Sequence, residues 1–160
     1  MLHKKIILFL FLLVLLLLAA CQSQIDLSQP PEIRFGEEVC TECGMIISEP
    51  RYAAAYYTTQ GDARRFDDIG GMFTYQAEHQ EDVAQSWVHD FDTEELVKAD
   101  QAFYVISDQL HTPMGFGVIA FSEQDRAQRL ASKSNTLVMS FDESLMSYME
   151  FSADHEHSEP

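Results

Sequence analysis

The chain has 160 residues, with 26 Asp and Glu against 10 Lys and Arg and a formal net charge of −16. A surface this acidic is repelled by phosphate backbones, which excludes nucleic acid as a partner and leaves solubility or a cationic partner as its use. The length allows one domain or two very small ones.

At the start, Lys4 and Lys5 precede an unbroken apolar run over 6–18 that ends in Ala19-Ala20-Cys21. The run is shorter than the ~20 residues a bilayer span requires. Small residues directly before a cysteine are what a lipoprotein signal peptidase needs. Residues 1–20 therefore read as a signal peptide and Cys21 as the acylated N-terminus. The other reading is a single membrane anchor with Cys21 as an idle thiol, and both readings place the remainder outside the cytoplasm. Residues 21–35, polar and proline-containing, read as a tether.

Beyond the tether, turn residues separate short apolar runs in a pattern that occurs twice. The first pass predicts a hairpin of strands over 52–59 and 63–67 turning at Gln60-Gly61-Asp62. Asp68 then caps a helix over 69–80 with Met72, Phe73 and Tyr75 on its apolar face, and a strand over 86–91 comes next. The second pass predicts strands over 102–107 and 115–121, a helix over 123–132 capped by Ser122, a strand over 135–141 and a short amphipathic helix over 143–151. Residues 153–160 read as a disordered acidic tail whose His155 and His157 are either a weak metal trap or solvated. Val88-His89-Asp90-Phe91-Asp92 lines up with Val138-Met139-Ser140-Phe141-Asp142 fifty residues on. The expected fold is α+β, with two similar small ββαβ units over 36–98 and 99–152. Units of that size have marginal cores alone, so they must pack together, and the cleft between them is the expected site.

With Cys21 lipidated, only Cys40 and Cys43 keep thiols, in Cys40-Thr41-Glu42-Cys43-Gly44-Met45. A Cys-x-x-Cys pair alone fits a zinc half-site, a redox pair, a disulfide or a copper site. Zinc lacks a second ligand pair, apart from the histidines of the tail. A redox pair needs a helix after it, whereas residues 46–50 are short, β-branched and stopped by Pro50. Thiolate with thioether selects copper(I), a soft ion, which makes Met45 the informative neighbour. A second sulfur sits in His111-Thr112-Pro113-Met114-Gly115, where Pro113 stiffens the loop and Gly115 permits a tight turn. Cys43, Met45 and Met114 are thus the leading copper(I) ligands. Cys40, His111 and His89 are further candidates, and each histidine could equally be an ordinary surface or core residue.

The lipobox, Cys40-Thr41-Glu42-Cys43-Gly44-Met45, Phe66-Asp67-Asp68-Ile69-Gly70-Gly71-Met72 and Thr112-Pro113-Met114-Gly115 together resemble the NosL family in identity and order. That resemblance implies two similar ββαβ modules on an extracytoplasmic lipoprotein. It also implies copper(I) binding and delivery to apo nitrous oxide reductase with help from a membrane transport complex. Carried over by motif, its sulfur ligands fall on Cys43, Met45 and Met114. Another cuproenzyme is an alternative acceptor. No catalytic set is recognisable, so the leading function is non-enzymatic. Its rivals are a thiol-disulfide redox lipoprotein using Cys40 and Cys43, and an assembly scaffold in which the two form a structural disulfide.

Overall fold

Short strands whose successive side chains point to opposite faces, both of them largely buried along β-strands such as 118–121, set the architecture. In the computed structural model residues 26–156, and Lys4 in isolation, are described, with side-chain surroundings through Met149. The leader, Cys21 and residues 157–160 lie outside the described residues.

The first unit contains β1 (Ala54–Thr58), β2 (Ala63–Phe66), α1 (Ile69–His79), β3 (Val83–His89) and β4 (Leu96–Lys98). They form an antiparallel sheet in the order β2-β1-β3-β4. The second unit contains β5 (Phe103–Ile106), β6 (Val118–Phe121), α2 (Gln124–Lys133) and β7 (Val138–Met139), with the sheet order β6-β5-β7. Each unit places its first strand centrally, its second on one side and its third, after the helix, on the other. The two ββαβ units therefore share a topology, as expected, within an α+β fold.

The core is shared between the two units. Along β5 and β6, Tyr104, Val118 and Ala120 enter one cluster with Tyr56, Phe66, Phe73 and Val88 of the first unit. Their neighbours Val105, Ile119 and Phe121 point the other way, onto Ala127 and Ala131 of α2. The second sheet is thus buried on both faces, as the two-residue period of a strand dictates. Main-chain and side-chain bonds join the units: the Phe91 N–H donates to Ala120 O at 2.9 Å, and the Asp90 carboxylate accepts from the Ser122 N–H at 2.6 Å and hydroxyl at 2.7 Å.

Three local differences from the sequence reading have physical causes. The strand expected over 135–141 shrinks to Val138–Met139, because Ser140 and Glu143 form a capping box that starts α3 (Phe141–Glu156) earlier. The Glu143 carboxylate accepts from the Ser140 N–H at 2.7 Å, and the Ser140 hydroxyl accepts from the Glu143 N–H at 3.3 Å. Helix α3 packs on α1 through Phe73, whose ring lies 5.6 Å from Phe141 and 5.5 Å from Tyr148. Second, Ser122 does not cap α2; its hydroxyl is given to Asp90, and Glu123 occupies the N-cap without a side-chain bond. Third, β4 was not expected, and it pairs with β3 at Trp87, Val88 and His89. Among the described residues no helix is long and apolar enough to cross a membrane.

Candidate metal centre

Gly44 organises the thiol-bearing turn by adopting φ +75°, a conformation that costs side chains with a Cβ. The Gly44 N–H donates to Cys40 O at 3.0 Å and the Cys40 N–H to Met45 O at 2.7 Å, closing the turn on itself. Val39 and Ile46 face each other across an antiparallel bridge just behind it. The turn docks on the edge of β2: the Thr41 N–H donates to Arg65 O at 2.7 Å, and the Arg65 N–H donates to the Thr41 hydroxyl at 3.1 Å. That register brings Asp67, the residue directly after β2, against the two thiols.

The result is a cluster of Cys40, Cys43 and Asp67 whose ligand atoms all lie within 4.8 Å of one another. Cys43 Sγ is 3.7 Å from each Asp67 carboxylate oxygen. Both cysteines are free thiols, so the structural disulfide of the scaffold reading is not formed here. Burial, followed by donation to Asp67, pushes the Cys40 thiol up to about 12, although backbone N–H groups of Cys43, Asp67 and Glu42 work against the rise. A redox nucleophile needs the opposite shift. A metal cation bound at such a thiol would displace its proton to solvent and supply the missing charge compensation.

Asp68 is the second half of the arrangement. It caps α1, accepting from the Gly70 N–H at 2.8 Å, as the sequence predicted. Its other oxygen accepts from the Thr112 hydroxyl at 2.6 Å and the Met114 N–H at 3.0 Å, both in the second unit's hairpin loop. Burial pushes this carboxyl up, and the donors from Thr112, Met114 and Gly70 hold it back. Consecutive carboxylates therefore do different work: Asp67 faces the thiols, and Asp68 ties down the loop that carries Met114. The Met114 sulfur packs over Gly71, 2.8 Å from where a Cβ on that glycine would sit.

The sequence candidates thus separate. Cys40 and Cys43 come together. Met45 lies two residues on from Cys43 and is half exposed, at 52%. Met114 is bound to the helix cap adjoining Asp67. His111 is exposed on the same loop. His89 is buried, its Nδ1 2.9 Å from Ala53 O and its ring edge-on to Phe35, as an ordinary core histidine would be. Met72 is fully buried in the core. His155 lies beyond the last described side chain, and His157 lies outside the described residues altogether.

Asp67 was missed as a site residue. The signal available was two adjacent carboxylates before a helix that needs only one as its cap. The site also differs from a simple inter-unit cleft, since three of its groups belong to the first unit. The open hollow between α1, β3 and α3, lined by Gln76, Gln80, Ser86, Asp100, Leu145 and Met149, contains neither thiol nor imidazole.

Comparison with known proteins matches the NosL family over residues 33–149, which spans both ββαβ units and every element of the cluster. The chain belongs to the NosL family. A curated relative, the copper-binding lipoprotein NosL of Stutzerimonas stutzeri, is 26% identical over 146 residues, covering 85% of this chain and 77% of the relative. Among solved structures, the crystal structure of the copper chaperone NosL from Shewanella denitrificans matches with a TM-score of 0.64 and 23% identity, covering 72% of this chain and 94% of that one. At that identity the likeness establishes the NosL fold, and the chemistry rests on the residues themselves.

Proposed function

We propose that the chain is a copper(I) chaperone, anchored outside the cytoplasm by a lipid on Cys21, that binds and hands on copper without turnover. Its acceptor is apo nitrous oxide reductase or another cuproenzyme, served together with a membrane transport complex. The observation that carries the reading is the gathering of two free thiols beside Asp67, with Asp68 holding the Met114 loop next to it. Soft sulfur favours copper(I) over harder divalent ions, and a carboxylate beside the thiols accepts their hydrogen bonds until the metal replaces the protons.

Cys43, Met45 and Met114 are the leading ligands, with Cys40 adjoining them. Asp67 orients the thiols. His111 is exposed on the Met114 loop and offers a nitrogen donor there, while His89 is committed through Nδ1 to Ala53. Soft two- or three-coordinate binding suits transfer, because an acceptor ligand can enter before a donor leaves.

The test is a copper(I) titration of the reduced, anaerobic chain against a chromophoric competitor. One tight equivalent is expected for the wild type, with a drop of tenfold or more in Cys43→Ser and Met114→Leu. A wild type that cannot compete for copper(I) would sink the proposal. Retention of binding in Met114→Leu would remove the second unit from the site.

A further inference from the structure

Beside the thiol-bearing turn the protein presents apolar side chains to solvent. Val39 and Ile46, opposite each other across the bridge, are 54% and 56% exposed, and Met45 adjoins them at 52%. The alternation explains the outward aim of the pair: Cys40 and Ile47, their chain neighbours, are buried. Exposed Val and Ile on a short ladder are a liability that a chain without a use for them avoids.

Around this patch, the segment 37–49 carries Glu37, Glu38, Glu42 and Glu49 and no Lys or Arg. Arg34 neutralises Glu38 at 2.6 Å. Glu37, Glu42 and Glu49 make no ion pair among the described residues. The apolar centre thus belongs to a segment with net negative charge, partly offset by Arg34 near Glu37 and Glu38. Three side chains are too small an area for a lasting dimer, and fit the small end of transient encounters.

We propose that Val39, Met45 and Ile46, with Glu37, Glu42 and Glu49 close by in the same segment of chain, form the docking surface for the copper acceptor, a protein segment with an apolar, sulfur-bearing centre flanked by Lys or Arg. The inference rests on the copper chaperone reading and adds the kind of partner it serves. A second copy of this chain, at −16, and an anionic membrane surface both meet this segment with like charge. A cationic partner is drawn to it and is brought with its ligands beside Cys43.

The probe is a pair of synthetic peptides with one thiol-and-thioether core and a tryptophan reporter, flanked in one by lysines and in the other by glutamates. Copper transfer from the full-length, copper-loaded chain in neutral detergent is followed by stopped flow at ~10 mM and ~1 M salt, where the screening length falls from about 30 to about 3 Å. The lysine peptide should take copper about tenfold faster at low salt, and the advantage should vanish at high salt. It should also vanish in a Glu37→Gln/Glu42→Gln/Glu49→Gln variant. Val39→Ser/Ile46→Ser should slow transfer to both peptides. Copper affinity against the chromophoric competitor should stay within about twofold of wild type in each variant, which separates this proposal from the one beneath it: no competitive binding by the wild type would refute the chaperone reading itself. Equal rates for the two peptides at low salt, or an unchanged lysine-peptide advantage in the Glu variant, would overturn the docking surface. Self-association of the wild type that Val39→Ser/Ile46→Ser abolishes would assign the patch to a second copy and overturn it equally.

Discussion

The two ββαβ units have the same strand order but differ at the junction of second strand and helix. In the first unit β2 ends in Phe66 and is succeeded by Asp67 and Asp68; in the second β6 ends in Phe121 and is succeeded by Ser122 and Glu123. Phe66 and Phe121 are both buried core residues. The two residues after each phenylalanine have diverged. Asp67 meets the thiols and Asp68 caps a helix while gripping the other unit, whereas Ser122 is itself gripped by Asp90 and Glu123 caps nothing. The hairpin loops differ in the complementary sense. The first unit closes its hairpin tightly between Thr58 and Ala63, and the second opens a long loop between Ile106 and Val118 that delivers Met114. A duplicated framework has thus placed thiols and carboxylates on one copy and a thioether loop on the other.

The sharpest break of this asymmetry is a pair of matched substitutions. Asp68→Ala removes a helix cap and orphans the Thr112 hydroxyl and Met114 N–H, which together should cost about 3 kcal/mol. Glu123→Ala, at the equivalent position, should change stability by less than about 0.5 kcal/mol. Urea unfolding of both variants measures the difference. Similar losses in the two would show that the junctions are equivalent after all. Asp68→Ala should also weaken copper(I) binding, because the Met114 loop loses its tie.

The grip in the other direction has a pH signature. Burial alone would push the Asp90 carboxyl up, but donors from Ser122 and Thr93, the Ser122 hydroxyl and the Asp92 N–H outweigh it and hold the group at about 2. An unfolded aspartate titrates near 3.9. Asp90 therefore contributes stability that is fully present above the unfolded value and is lost as pH falls through about 2. Asp90→Asn should cost about 2 kcal/mol near neutrality, from weakened charge-assisted bonds. The gap to wild type, read from urea midpoints, should narrow steadily from pH 4 to pH 2. A gap that stays constant over that range would deny the carboxylate its role as the clamp.

How far the sequence discloses this arrangement depends on whether a feature is local. The repeat is readable because alternation and turn residues are local, and the Asp68 cap is readable because a short acidic side chain before an apolar helical face has one common use. The thiol pair and the Met114 loop are readable from their residue types. The role of Asp67 is not, since it depends on the Thr41–Arg65 register that lays the turn on β2. The assignment of Ser122 failed for a related reason: a serine that could cap α2 is claimed by a carboxylate 32 residues earlier. Ser140 shows the reverse error. Its alignment with Asp90 in the repeat favoured a strand, and its capping box with Glu143, equally local, prevailed. The alignment marks where β3 and β7 correspond but not where β7 stops.

The smallest predicted effect bears most directly on whether the units share the site. Gly70 and Gly71 open α1, although two glycines cost a helix about 2 kcal/mol relative to alanine. Their place is explained by the second unit. A Cβ on Gly70 would lie 2.2 Å from the Phe116 Cβ and 3.0 Å from the Tyr148 hydroxyl, atoms held close to their backbones or in the core. Gly70→Ala should therefore destabilise by about 1–3 kcal/mol through overpacking. A Cβ on Gly71 would meet the Met114 sulfur at 2.8 Å, and that sulfur lies near the end of a flexible side chain that can swing aside. Gly71→Ala should leave the urea midpoint nearly unchanged while moving the thioether, so copper(I) affinity should fall several-fold without loss of fold. Unaltered affinity would mean that Met114 packs on α1 without reaching the metal, and that the long second hairpin serves only to join the units. A several-fold loss confined to Gly71→Ala, with Gly70→Ala affecting stability, would separate the junction's structural half from its metal-binding half at adjacent residues.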